Sequence, residues 1–117
     1  MAEQYGLEVG ERNADGIHLR VSGEVDLEVA PLLLDSILEA GLACEPSDRV
    51  VLDLQGVTFI DSSGLAMLVE AHRGIAAQGK VLLLGEVSAR VQRLVSLTGL
   101  DLLFGVEAAP AQQERAS

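Results

Sequence analysis

The sequence predicts an α/β fold, a mixed sheet of about four to five strands with helices packed against it. Three observations predict it. The chain has 117 residues, room for one domain and not two. Apolar side chains make up 49% of it and charged ones 22%, a balance that can bury a core, so wholesale disorder is excluded. The apolar spacing also switches between a period of two and a period of about 3.6 residues, in the order β-β-α-β-α-β-α with room for a short closing strand. Strands separated by helices imply right-handed parallel crossovers after the opening pair.

Tyr5, Leu7 and Val9 alternate with polar neighbours, as do Ile17, Leu19 and Val21 against His18, Arg20 and Ser22. The Asn13-Ala14-Asp15-Gly16 link has turn chemistry, so the two runs read as a β-hairpin. After Gly23-Glu24-Val25-Asp26, apolar residues at Val29, Leu32, Leu33, Ile37 and Ala40 predict a first helix, with Pro31 near its start and Gly41 as its stop. Asp26 and Glu28 fall at its positive end, where acids are favourable. Val50-Val51-Leu52-Asp53-Leu54 reads as a central strand covered on both faces. A second helix is expected from Gly64 to about Gln78, its stripe formed by Leu65, Leu68, Val69, Ile75 and Ala76, closed by Gly79.

Lys80-Val81-Leu82-Leu83-Leu84 is a further buried strand. Ser88 then caps a third helix with the stripe Val91, Leu94, Val95 and Thr98, stopped by Gly99. Phe104-Gly105-Val106 can add a short edge strand. The domain is expected to span residues 1–107, and the small, polar residues 108–117 to form a disordered tail.

Charge narrows the partners. Eighteen acids against eight bases give a formal net charge of −10, the wrong sign for a polyanion, so nucleic-acid binding is not expected. The excess is concentrated: residues 1–53 carry 12 acids and 3 bases, residues 54–117 carry 6 and 5. An electrostatic partner should therefore be basic. No apolar run approaches about 18 residues, and Met1-Ala2-Glu3-Gln4 lacks the features of a signal peptide, so a cytoplasmic location without membrane contact is expected. A single cysteine, Cys44, cannot form an internal disulfide, and no Cys/His cluster has metal-ligand spacing; neither metal nor cofactor is expected.

The chemistry concentrates in Thr58-Phe59-Ile60-Asp61-Ser62-Ser63-Gly64-Leu65, between the central strand and the second helix. In open α/β sheets, ligands and partners gather at that carboxyl edge. Asp61, Ser62 and Ser63 crowd a helix N-terminus, where a phosphate would be accommodated. The residues alone leave two readings open. One serine can simply be the N-cap with Asp61 as a first-turn acid, or a serine can be a modification site, since two adjacent hydroxyls exceed what one cap requires.

From about Gly6 to Val106 the chain resembles the STAS family, specifically bacterial anti-sigma factor antagonists. The resemblance is carried by Gly23-Glu24-Val25-Asp26, Val51-Leu52-Asp53-Leu54, Phe59-Ile60-Asp61-Ser62-Ser63-Gly64-Leu65, Gly79-Lys80-Val81-Leu82-Leu83, and Leu94 with Thr98-Gly99-Leu100. It implies a STAS-like domain acting as a non-enzymatic, partner-switching regulator. The unphosphorylated form binds an anti-sigma factor that is also a serine kinase, releasing a sigma factor; phosphorylation frees the kinase, and a serine phosphatase resets the cycle. The first serine of Asp-Ser-Ser-Gly maps onto Ser62 as acceptor, with Ser63 capping or supporting the helix. Asp26 matches a family acid near the site, and Glu24, Asp61 and Gly64 flank it. Many relatives have glycine where this chain has Ala66, so the approach of a partner to this helix can differ. The alternative is a STAS adaptor subunit of a transporter or stress-signalling complex, without phosphorylation.

Helical spacing puts Ala66, Met67 and Glu70 beyond the serines and off the predicted stripe. Met67 there is either a docking contact or a residue packed under the loop after the hairpin. Other groups read as structural. His72 lies on the apolar stripe as a core-edge residue, and His18 alternates outward without matching ligands. A hydrolase reading of Ser62 fails for want of a Gly-x-Ser-x-Gly elbow and a placed histidine. A phosphoaspartate receiver would need an acidic pair after the first strand with a helix directly following, where this chain has a hairpin.

Overall fold

The computed structural model describes residues 5–13, 16–45 and 49–100. In chain order these form β1 (Tyr5–Asn13), β2 (Gly16–Val25), α1 (Ala30–Ala43), β3 (Arg49–Ile60), α2 (Ser62–Ala77), β4 (Val81–Val87) and α3 (Ala89–Thr98). The strands lie in the order β1-β2-β3-β4. β1 pairs antiparallel with β2, whereas β2–β3 and β3–β4 are parallel, so the sheet is mixed as expected. The expected edge strand at Phe104-Gly105-Val106 and the expected tail at 108–117 fall outside the described residues, as does the centre of the first turn at Ala14-Asp15.

The period-two pattern sets the two faces of the sheet. Leu19, Leu52 and Leu84 stand in register across β2, β3 and β4, each at most 2% exposed, and form the row that the core is built on. Leu33 and Ile37 of α1, Leu68, Ala71 and Ile75 of α2, and Val91 and Val95 of α3 complete the same cluster. The alternate row, His18, Val51 and Leu83, lies on the opposite face. Val51 and Leu83 are buried there, which bears out a central strand covered on both sides. His18, expected to alternate outward, is half-buried on this second face, and its buried Nε2 has no hydrogen-bond partner among the described residues.

Several boundaries differ from the sequence reading. β3 does not stop at Leu54; it runs to Ile60. Gly56 is paired with Ser22 inside the strand, with register shifts against β2 between Arg20 and Ser22 and again between Gly23 and Glu24. These irregularities shift the register without ending the strand. Gly41 is not a helix stop. It is buried inside α1, where a Cβ would run into the ends of Ile75 and Gln78 from α2, so its bareness sets the approach of the two helices. Leu32, placed on the α1 stripe, is 52% exposed. Gly79 and Gly99 do terminate α2 and α3, at φ of 80° and 77°, as their positions predicted.

The helix ends are tied to other elements. The Lys80 ammonium donates to the Gly41 carbonyl and, at 3.1 Å, to that of Cys44. Gln78 Nε2 donates to the Leu38 carbonyl at 3.0 Å. The link between α2 and β4 therefore ties down the C-terminal end of α1.

Candidate functional site

Two adjacent parallel strands end together. Val25 of β2 is in register with Ile60 of β3, and the Asp61 N–H donates to the Val25 carbonyl at 3.4 Å. The residues that follow, Asp26 and Asp61, leave the sheet side by side at its carboxyl edge. Each carboxylate is committed to the turn it starts. Asp26 Oδ1 accepts from the N–H groups of Glu28 and Val29, both at 3.1 Å, and its backbone carbonyl accepts from Ala30 at 2.8 Å. Asp61 Oδ1 accepts from Ser63 N–H at 2.9 Å and Gly64 N–H at 3.2 Å.

The geometry decides which residue caps α2. Asp61 is extended, at φ −117° and ψ −169°, and it is the N-cap; Ser62 is the first helical residue. Of the two expectations for Ser63, capping or supporting the helix, the cap falls to Asp61: Ser63 contributes a backbone donor, and its side chain is half-buried. Ser62 is exposed at the tip, and its hydroxyl makes no hydrogen bond among the described residues. The helix thus begins two residues earlier than Gly64.

Gly64 itself is buried. A Cβ there would lie 2.5 Å from Ile60 Cγ1 and 3.0 Å from Val25 Cγ1, so the first turn of α2 presses directly on the ends of β3 and β2. This close approach fixes the height of Ser62 above the sheet edge. Met67, expected off the apolar stripe, is 4% exposed and sits in the core. Its placement is corrected because the stripe is centred on Gly64, Leu68, Ala71 and Ile75, which carries Met67 inward on one flank and leaves Leu65 and Val69 half-buried on the other. Ala66 and Glu70 are exposed, and Glu70 pairs with Arg73 at 3.6 Å.

Around Ser62 the surface is acidic and partly apolar. Glu24 and Glu28 are exposed, Asp26 and Asp61 half-buried, and Leu27 is 71% exposed between two of these acids. Sequence reasoning missed Leu27 and Arg90. The Arg90 guanidinium lies 5.2 Å from the centroid of Phe59, three residues before Ser62. Nothing local signals that contact, since it depends on α3 starting beside the C-terminal half of β3. The Ser88 cap of α3 does match expectation, accepting from Val91 N–H at 3.3 Å.

Asp53 and Cys44 lie outside the site. Asp53 accepts from the N–H of Gln55 at 2.9 Å, within β3 rather than at its end. Cys44 closes α1 and donates its thiol to the Ala40 carbonyl at 3.1 Å. Among the described residues no group of three His, Cys, Asp or Glu side chains could hold a metal ion. No helix among them is long and apolar enough to cross a membrane.

Comparison with known proteins gives a consistent picture. A family model described as "Mlab, STAS domain" matches residues 10–105. The anti-sigma-B factor antagonist of Listeria monocytogenes is 34% identical over 103 residues, covering 86% of this chain and 87% of that protein. The anti-sigma-B factor antagonist of Bacillus subtilis is 31% identical over 97 residues, covering 83% and 86%. Among solved structures, an anti-sigma factor antagonist from Mycobacterium paratuberculosis superposes with a TM-score of 0.73 at 25% identity, covering 96% of this chain and 92% of that one.

Proposed function

The chain belongs to the STAS domain family, and from that premise we propose that it is an anti-sigma factor antagonist switched by phosphorylation of Ser62. In this reading the unphosphorylated form binds a serine-kinase anti-sigma factor and so releases a sigma factor. Transfer of a phosphoryl group to the Ser62 hydroxyl ends the binding, and a serine phosphatase restores it. The regulator is not itself an enzyme. The names of the relatives in Listeria and Bacillus support the antagonist role.

The observation that carries the phosphoacceptor role is the division of labour at the start of α2. Asp61 caps the helix, which leaves the exposed Ser62 hydroxyl without a structural task. A phosphate there breaks no hydrogen bond of the described fold. It also sits at the positive end of a helix of 16 residues, where a negative charge is stabilised by about 0.3–1 kcal/mol.

The switch then acts at the interface. Phosphorylation adds a charge of about −1.5 to −2 to a surface that already carries Glu24, Asp26, Glu28 and Asp61. Where a docked partner places an acid or a tightly packed group opposite, the added charge costs several kcal/mol. About 3 kcal/mol weakens binding roughly a hundredfold. Ala66 leaves the exposed side of the first turns low in profile, so a partner can approach the helix beside Ser62.

Mass-spectrometric phosphosite mapping of the chain purified from its own host tests the reading. Phosphate on Ser62 that disappears in Ser62→Ala is the expected result. Absence of phosphate across growth and stress conditions would refute it and leave a STAS adaptor without phosphorylation.

A further inference from the structure

We infer that α3 carries a second docking strip, formed by Arg90, Arg93 and Leu97, which receives an acidic segment bearing an apolar side chain from the same anti-sigma factor that docks at Ser62. The inference rests on the proposed function for the identity of the partner. The strip itself rests on four observations.

The first is an imbalance of charge. The chain holds 18 acids and only eight bases, yet neither Arg90 nor Arg93 has an ion-pair partner among the described residues, whereas Arg20 and Arg73 pair with Glu8 and Glu70. The second is placement. Arg90, Arg93 and Leu97 follow one another at i, i+3 and i+7 on one side of α3, while Val91 and Val95 are buried on the other. Leu97 is 75% exposed, and Ala89, Arg90, Arg93 and Leu94 line a shallow hollow of about 350 Å³.

The third is preorganisation. Phe59 is 37% exposed and carries the Arg90 guanidinium over its ring at 5.2 Å. A guanidinium held against a ring keeps N–H donors for a carboxylate, which arginine can bind in bidentate fashion. The fourth is continuity. Phe59 stands one residue before Ile60, whose successors Asp61 and Ser62 start α2, so the strip begins at the edge that holds the phosphoacceptor.

The docking face is therefore two-signed. Glu24, Asp26 and Glu28 lie on its β2–α1 side, and Arg90 and Arg93 on its α3 side. A partner with basic groups for the first and an acidic, apolar segment for the second can seat in only one orientation, and like-charge contacts exclude the reversed one. The strip thereby discriminates among anti-sigma factors that all meet Ser62 in the same way.

The test uses the full chain labelled with nitrogen-15 and a synthetic dodecapeptide of alternating Glu-Glu-Leu units, with the matching Lys-Lys-Leu peptide as control. The acidic peptide should produce saturable amide shifts confined to Arg90–Leu97 and Phe59, abolished by the R90E/R93E double variant. The double variant should also bind the anti-sigma factor retained by the wild-type chain at least about tenfold more weakly, with unchanged circular dichroism. R90K/R93K should recover part of that loss, because charge returns without the fork geometry. Absence of saturable shifts on α3, or equal shifts with the lysine peptide, would overturn the inference. So would a concentration-dependent self-association abolished by R90E/R93E, which would make a second copy of this chain the occupant. Failure of the proposed function is read separately: it would show as Ser62→Glu binding the anti-sigma factor as tightly as wild type, whatever α3 does.

Discussion

Asp61 and Ser62 stand next to each other and look interchangeable in the sequence, since aspartate and serine share the head of the N-cap ranking. The structure separates them by backbone conformation. Asp61 is the last extended residue and Ser62 the first helical one, so the carboxylate caps and the hydroxyl is left exposed. The motif was legible as a phosphate-tolerant helix start; the choice of cap was not, because it depends on where β3 ends. Removing the cap in Asp61→Ala should cost about 1 kcal/mol in urea unfolding, whereas Ser62→Ala should stay within about 0.5 kcal/mol of wild type. The reverse order would return Ser62 to a structural role. Gly64→Ala should destabilise by about 1–3 kcal/mol, because the added methyl meets Ile60 and Val25 at the ends of two core strands and the first turn of α2 must lift. A Gly64→Ala protein as stable as wild type would show that this approach is not close.

Among the elements, hydrophobic periodicity found all three helices and all four described strands, because each has a buried face with the right period. What it misjudged has physical causes. Gln55-Gly56 punctuates the sequence like a turn, yet a parallel neighbour on the β2 side keeps the strand paired through it, and the irregularity is absorbed as a shift in register. On α2, the expected stripe runs through Leu65, Leu68, Val69, Ile75 and Ala76. The true centre is marked instead by small residues, Gly64 and Ala71, where the helix lies nearest the sheet. That displacement carries Met67, expected off the stripe, into the core. Met67→Ala should accordingly cost about 2–5 kcal/mol in chemical denaturation, the range for truncating a buried side chain. Substituting the exposed Ala66 with serine should cost no more than about 0.5 kcal/mol. Similar small losses at both positions would contradict the burial of Met67.

At the scale of the whole molecule, the sheet brings the ends of β2 and β3 and the starts of α1, α2 and α3 to one edge. Ser62 stands among them, with acids on one side and arginines on the other. The acidic side could be read from the uneven distribution of charge along the chain. The basic side could not, since Arg90 reaches the edge only through the tertiary placement of α3 beside β3. The proposed switch needs no change of fold, because the exposed Ser62 hydroxyl makes no hydrogen bond among the described residues.

The measurement that tests this most directly compares the unmodified chain with its stoichiometrically Ser62-phosphorylated form, recording affinity for the anti-sigma factor and thermal unfolding side by side. The account predicts an affinity roughly a hundredfold lower after phosphorylation, with stability changed by no more than about 1 kcal/mol. Equal affinities, or a loss of affinity matched by a comparable loss of folding, would contradict it.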